Sequence, residues 1–259
     1  MRRMQQVQSS RFGPQSGPMQ AGRSPGFTSE VKFVVDRSLG VAIGDWARQH
    51  LAADPHGSGP FADEYRVTSL YLDTEARDVF HRRASYGRSK YRLRRYLVEP
   101  TVYLERKLRT AARLAKRRSA IDLATLPLLG VEHALNGDGT AWFRRRVAIR
   151  QLQPVCQVSY LRMARAGDTP DGPARLTLDH TLAAVTTGTF SFDATPAVAL
   201  LEDAMILELK FRGRVPAVFK RLVETFALRP GRASKYRIAA GALGLVEGDR
   251  QGASPIAHA

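Results

Sequence analysis

From Glu30 to Phe211 the chain repeatedly alternates apolar and charged side chains with a period of two residues, which is the period of a strand and not of a helix. Neighbouring residues of a strand point to opposite faces, so each segment divides into two sets. Glu30 and Lys32 stand against Val31, Phe33 and Val35, and Arg92 and Arg94 against Tyr91 and Leu93. Glu105, Lys107 and Arg109 oppose Leu104 and Leu108; Lys116 and Arg118 follow with Leu114. Tyr160 shares a face with Arg162, Arg175 with Thr177 and Asp179 against Leu176 and Leu178, and Glu208 with Lys210 against Leu207, Leu209 and Phe211. The pattern predicts strands over 29–36, 66–73, 88–97, 101–110, 113–121, 155–165, 174–179, 183–190 and 205–212. Helices are predicted over 38–53, 75–86, 140–152, 216–227 and 234–245, with Ser38 as an N-cap and Pro216 in a first turn. Many strands with few helices between them point to an antiparallel barrel or sandwich.

The charged faces are mostly basic. The chain of 259 residues carries 40 Lys and Arg against 24 Asp and Glu, a net charge of +16, and only seven of the 40 are lysine. Such an excess favours a polyanionic partner: nucleic acid, an anionic membrane or a phosphorylated ligand. Two arrangements fit. In a sandwich the charged faces lie in water, which accounts for each strand alone. In a barrel with the charged face inward and helices covering the apolar outside, the cations would line a channel. Cations crowded on one sheet face repel one another unless an anion lies between them, and Arg and Lys donate charge-assisted hydrogen bonds to phosphate oxygens.

Other classes are excluded. Cys156 is the lone cysteine, so there is no intramolecular disulfide or cysteine-rich zinc site, and it is best read as a packing residue. The histidines lack paired-ligand spacing, and His81 and His133 read as surface or capping residues. Nothing matches GxxxxGK[ST], no apolar run approaches the roughly 20 residues of a membrane span, and residues 1–26 lack the apolar core of a signal peptide, which makes the cytoplasm the expected compartment. Residues 1–26, rich in Gln, Ser, Gly and Pro, and 247–259 read as disordered tails around a folded unit of 27–246.

Nine short motifs occur in order: Glu30-Val-Lys32-Phe33, Ser69-Leu-Tyr71-Leu-Asp73, Arg92-Leu-Arg94, Glu105-Arg-Lys107, Lys116-Arg-Arg118, Tyr160-Leu-Arg162, Arg175-Leu-Thr-Leu-Asp179, Glu208-Leu-Lys210 and Ser234-Lys235-Tyr236-Arg237. Together they resemble the VTC domain, the polyphosphate polymerase module of the vacuolar transporter chaperone complex, within the CYTH or triphosphate tunnel metalloenzyme superfamily. The resemblance covers residues 28–245. It implies an α+β fold in which an antiparallel eight-stranded tunnel β-barrel has flanking helices. It also implies transfer of the terminal phosphoryl group of ATP to a growing polyphosphate, with Mn²⁺ or Mg²⁺. On the same resemblance, Lys32, Arg92, Arg94, Lys107 and Lys235 are the catalytic cations. Lys116, Tyr160, Arg162, Arg175 and Ser234 bind phosphate, and Glu208 with Glu30 holds the metal. The resemblance implies ATP and polyphosphate or pyrophosphate as partners and leaves room for a membrane-protein partner.

Two departures stand out. The hydrolase branch opens with Glu-x-Glu-x-Lys, whereas this frame reads Thr28-Ser29-Glu30-Val31-Lys32. Fewer acids grip water-activating metals less well, which favours the polymerase branch. The regulatory SPX domain and membrane region of the eukaryotic polymerases have no counterpart in these residues, so the resemblance does not extend to inositol-pyrophosphate control or translocation. Two rivals remain. One is a triphosphatase in which Glu30 or Glu105 places the attacking water. The other is a non-catalytic polyanion binder, but Tyr96, Tyr103 and Tyr160 are sparse as stacking platforms, which disfavours nucleic acid. The run Arg144-Arg145-Arg146 reads first as a solvated helix face and second as a dock for polyphosphate leaving the tunnel.

Overall fold

A computed structural model describes residues 29–96, 99–109, 114–130, 138–192 and 197–246. The expected tails 1–26 and 247–259, together with Thr28 and His133, lie outside these residues. The strands are β1 (Ser29–Asp36), β2 (Ala52–Ala53), β3 (Glu64–Asp73), β4 (Ser89–Tyr96), β5 (Thr101–Arg109), β6 (Leu114–Asp122), β7 (Gln153–Thr169), β8 (Gly172–Thr186), β9 (Val198–Leu200) and β10 (Ala204–Phe211). The helices are α1 (Arg37–His50), α2 (Asp78–His81), α3 (Asp138–Ile149), α4 (Ala217–Thr225) and α5 (Lys235–Ala242), with 3₁₀ turns at Ala84–Arg88 and Leu123–Gly130. None of the described helices is long and apolar enough to cross a membrane.

Several boundaries differ from expectation for local reasons. Asp36, not Ser38, caps α1: its carboxylate accepts the Leu39 N–H at 2.7 Å, while the Ser38 hydroxyl donates to the same oxygen. Pro216 stands at the N-cap of α4, one place before the expected first turn. The single helix expected over 75–86 is two short pieces, because Arg77 and Arg82 adopt left-handed backbone (φ 58° each) on either side of α2. The two strands expected over 174–179 and 183–190 are one, β8. Its register against β7 shifts between Ser159 and Leu161, and Thr181 takes a φ of 50°, so a bulge changes the phase of the alternation without ending the strand.

All strand pairings are antiparallel, in the order β1-β10-β8-β7-β3-β4-β5-β6, with β2 attached to β7 and β9 to β8. The expected eight-stranded closed barrel is therefore replaced by a ten-stranded sheet whose end strands β1 and β6 are not hydrogen-bonded to each other. The sheet nevertheless curls far enough for Lys107 of β5 to reach Glu30 of β1, Nζ to Oε2, at 3.3 Å.

Apolar faces fill the outside. Phe33, Leu176, Leu207 and Leu209 pack with Ile43 and Ala47 of α1 and Phe219 and Leu222 of α4, all essentially buried. An added Cβ at Gly40 would run into Met205, which is how closely α1 lies on β10. Tyr91, Leu93, Val102 and Leu104 pack with Phe143 of α3 and Leu126 and Leu129 of the second 3₁₀ turn. Each large apolar side chain so buried contributes about 1.5–3 kcal/mol. Helix α5 lies on the other side of the sheet: Tyr236 stacks at 5.4 Å on Tyr71, which shares its face with Arg92.

Candidate active site

The charged faces form the inner, concave wall. Arg94 is 6% exposed, Glu105 2%, Arg162 6%, Asp179 0% and Glu208 6%, values incompatible with the solvated face of a sandwich. The directly paired positions Lys32 and Glu208 on β1 and β10 bring the Lys32 ammonium onto Glu208, and the same ammonium lies 3.1 Å from Glu30. Burial disfavours the charge on Lys32, yet Glu208 and then Glu30 outweigh it and push its pKa above the ordinary lysine value. Lys210 Nζ is 2.7 Å and Lys235 Nζ 3.7 Å from Glu208. Burial opposes charge on Glu208 too, but Lys210, Lys32 and Lys235 hold it well below the carboxylate range.

A second group sits on β7 and β8. Arg162 meets Asp179 through two bonds of 2.6 and 2.7 Å, and Lys235, from the first turn of α5, is 2.5 Å from the same carboxylate and 4.8 Å above the Tyr160 ring. A third is centred on Glu105, which takes Arg92 at 2.7 Å, Lys116 at 2.8 Å and Arg118 at 3.3 Å. Burial would raise the pKa of Glu105; Arg92, Arg94 and Lys116 instead depress it strongly. Arg94 donates to Ser69 at 3.2 Å and to the Tyr160 hydroxyl at 3.0 Å, and Arg175 reaches Asp54 at 2.7 Å and the Tyr65 hydroxyl at 2.9 Å.

Ser234 stands at the N-cap of α5 without making a cap bond; its hydroxyl accepts from Lys90 Nζ at 3.1 Å instead. The twelve residues named from the resemblance are therefore all placed on this wall, linked through these contacts. Lys90 was missed, although its parity with Arg92 and Arg94 would have shown it. Asp54 and Tyr65 carried no local signal. Lys210, Arg118 and Asp179 were visible as members of the charged faces but had no assigned role, and Glu105 had one only in the triphosphatase reading. Among the described residues, eleven cations (Lys32, Lys90, Arg92, Arg94, Lys107, Lys116, Arg118, Arg162, Arg175, Lys210 and Lys235) share the wall with five carboxylates (Glu30, Asp54, Glu105, Asp179 and Glu208). The surplus leaves room for a multiply charged anion.

Aromatic residues are less scattered than the sequence suggests. Tyr96 contacts Tyr65 at 5.9 Å and Tyr103 at 5.7 Å, edge to face, and the Arg118 guanidinium lies 3.5 Å over Tyr103. Tyr160 stands apart from them beneath Lys235.

A divalent cation would find two oxygen donors here. Glu30 and Glu208 both contact the Lys32 ammonium, so two carboxylates converge on one cationic position, whereas no cluster of three or more His, Cys, Asp or Glu forms among the described residues. Two hard donors fit a Mg²⁺-like ion that arrives with phosphate oxygens and water as its remaining ligands, and fall short of an all-protein cage.

The fold is similar to that of a candidate adenylate cyclase from Bacillus halodurans, with a TM-score of 0.51 at 16% identity over 80% of this chain and 94% of that one. A candidate adenylyl cyclase from Hippeastrum, described as having a dominant triphosphatase activity, gives a TM-score of 0.48 at 14% identity over 83% of this chain and 95% of that one. No curated protein sequence matches the chain. The family model of the VTC domain matches residues 27–243, nearly the whole described fold, and the chain belongs to the VTC domain family.

Proposed function

We propose that the protein is a polyphosphate polymerase that transfers the terminal phosphoryl group of ATP to a growing inorganic polyphosphate chain along the basic inner wall. The observation that carries this reading is the surplus of inward-facing cations over carboxylates on the curled sheet of a VTC domain. Phosphoryl transfer needs mainly in-line positioning and neutralisation of charge on the transferred group, and a wall of fixed Arg and Lys supplies both. Lys32, Arg92, Arg94, Lys107 and Lys235 are assigned to the reacting phosphates. Lys116, Tyr160, Arg162, Arg175 and Ser234 are assigned to the remainder of the chain. Glu208 and Glu30 would hold Mn²⁺ or Mg²⁺, which when bound neutralises phosphoryl oxygens. An oxygen of the polymer end attacks the terminal phosphorus, the bond to the bridging oxygen breaks, and ADP leaves.

The state of the carboxylates favours transfer to phosphate over transfer to water. A general base for water must be free to take a proton. Glu105 is clamped by three cations and Glu30 lies against Lys32 and Lys107, so neither is a good base. Hydrolysis of triphosphate is the second reading. Purified protein with ATP and Mn²⁺, its products resolved by chain length on a gel, separates the two. Polymer growth supports synthesis, whereas release of free phosphate without longer products rejects it.

A further inference from the structure

On the convex side of the sheet, away from the proposed active site, lies a cavity of about 270 Å³ lined by Ser85, Arg88, Ser89, Tyr91, Arg106, Leu108, Arg146 and Arg150. Its floor is the outer face of two strands: Tyr91 of β4 pairs directly with Arg106 of β5, and Ser89 with Leu108. The 3₁₀ turn Ala84–Arg88 forms one wall. The other is the end of α3, where Arg146 and Arg150 are one turn apart on the same side of the helix. The four guanidinium groups thus come from three separate parts of the chain.

Their surroundings differ from those of the inner wall. There each carboxylate has cationic partners; here none of the lining residues is acidic, and none of the four arginines has an ion pair among the described residues. The row continues outward, since Arg106 pairs directly with Arg117 of β6, which stacks at 4.6 Å on Trp142. Like charges directly opposed on a sheet are destabilising. Arg150 is already fixed, with Nη2 on the Ser85 hydroxyl at 3.1 Å and its guanidinium 4.7 Å over Tyr86, yet its Nη1 is buried without a hydrogen-bond partner. A buried donor left unpaired carries a desolvation cost that an anion in the cavity would remove.

We propose that this cavity is a second anion site, outside the tunnel, for a short run of inorganic phosphate. Four converging guanidinium groups call for an anion with more than one charge and several acceptor oxygens, which one carboxylate does not supply. Among the described residues Tyr91 is the only ring in the lining, and it is buried and packs edge to face on Phe143 at 6.3 Å, which leaves no open face for a nucleobase. The cavity also falls below the range of about 300–1,000 Å³ usual for larger organic ligands.

Calorimetric titration of the full chain with inorganic triphosphate tests the assignment. The wild type is expected to show two binding events, the weaker at this more exposed site. The double variant Arg106→Ala/Arg146→Ala should weaken only that event, by about tenfold or more, the worth of one charge-assisted hydrogen bond. Arg88→Ala, an exposed position, should weaken the same event. Arg94→Ala should weaken only the tighter one. A single event in the wild type, two unchanged events in the double variant, or both events falling together in it would overturn the proposal. So would displacement of the weaker event by deca-glutamate as effective as by triphosphate, which would make the cavity a docking surface for an acidic protein segment.

Discussion

Arg162 donates two hydrogen bonds to Asp179, at 2.6 and 2.7 Å, from directly paired positions of β7 and β8, and both residues are buried. A phosphate chain entering here does not meet a free guanidinium. It shares Arg162 and Lys235 with a carboxylate already in place.

Removing that carboxylate exposes the balance. Asp179→Ala leaves Arg162 buried without its paired carboxylate and Lys235 with only Glu208, 3.7 Å away, which is expected to cost about 3–5 kcal/mol of stability. Saturating triphosphate should recover part of the loss, because a ligand that binds only the folded state stabilises it by mass action. Thermal unfolding with and without triphosphate checks both statements. An unchanged melting temperature in the ligand-free variant would show that the pair contributes little.

Glu208→Gln should lower turnover roughly 100-fold or more, the scale of one lost electrostatic partner of a transition state, while triphosphate still binds. The reason is that Lys32, Lys210 and Lys235 remain, less neutralised than before. Lys210→Ala is the companion variant, removing the 2.7 Å neighbour and keeping the carboxylate. Full turnover by Glu208→Gln at saturating Mn²⁺ would leave Glu208 a purely structural role.

Arg92→Ala and Arg94→Ala should each weaken triphosphate binding about tenfold or more, since a charge-assisted hydrogen bond shielded from water is worth roughly 1.5–3 kcal/mol. Arg221→Ala, on the exposed side of α4, should change affinity by less than about threefold. Equal small losses at all three tested positions would detach the inner wall from phosphate binding.

Lys90 should give binding a pH dependence. Loss of hydration, then repulsion from Lys32, Lys107, Arg82 and Arg92, lowers its pKa to about 8. Below that pH it is charged and ready for an anion. As pH rises through 8 the free protein loses the proton, while a bound phosphate favours the charged form, so binding near pH 8.5 should take up protons and weaken as pH climbs. Calorimetry in buffers of different ionisation heat measures the uptake, and comparison with Lys90→Met subtracts the proton chemistry of triphosphate itself. Equal proton uptake by the two proteins would remove Lys90 from the site.

Much of this wall is legible in the residues themselves. The period of two places Arg92 with Arg94 and Glu105 with Lys107, and the structure keeps both groupings on one face. The reading failed where the period breaks. At Thr181 a bulge shifts the phase, so a single 15-residue strand looks like two. At Arg77 and Arg82 left-handed backbone interrupts what reads as one helix, and no residue type there announces it.

The sequence alone determined which side chains share a face of each strand, and that most of those faces are basic, because side-chain direction in a strand is a local property of the backbone. Only the tertiary structure decided which face is concave. That choice depends on α1, α3 and α4 covering the apolar side and on the sheet curling until Lys107 meets Glu30, across strands far apart in the pairing order. The outer cavity has the same origin. Arg88, Arg106 and Arg146 converge only because α3 and a 3₁₀ turn pack against the same two strands, and no local periodicity records a meeting of three distant segments.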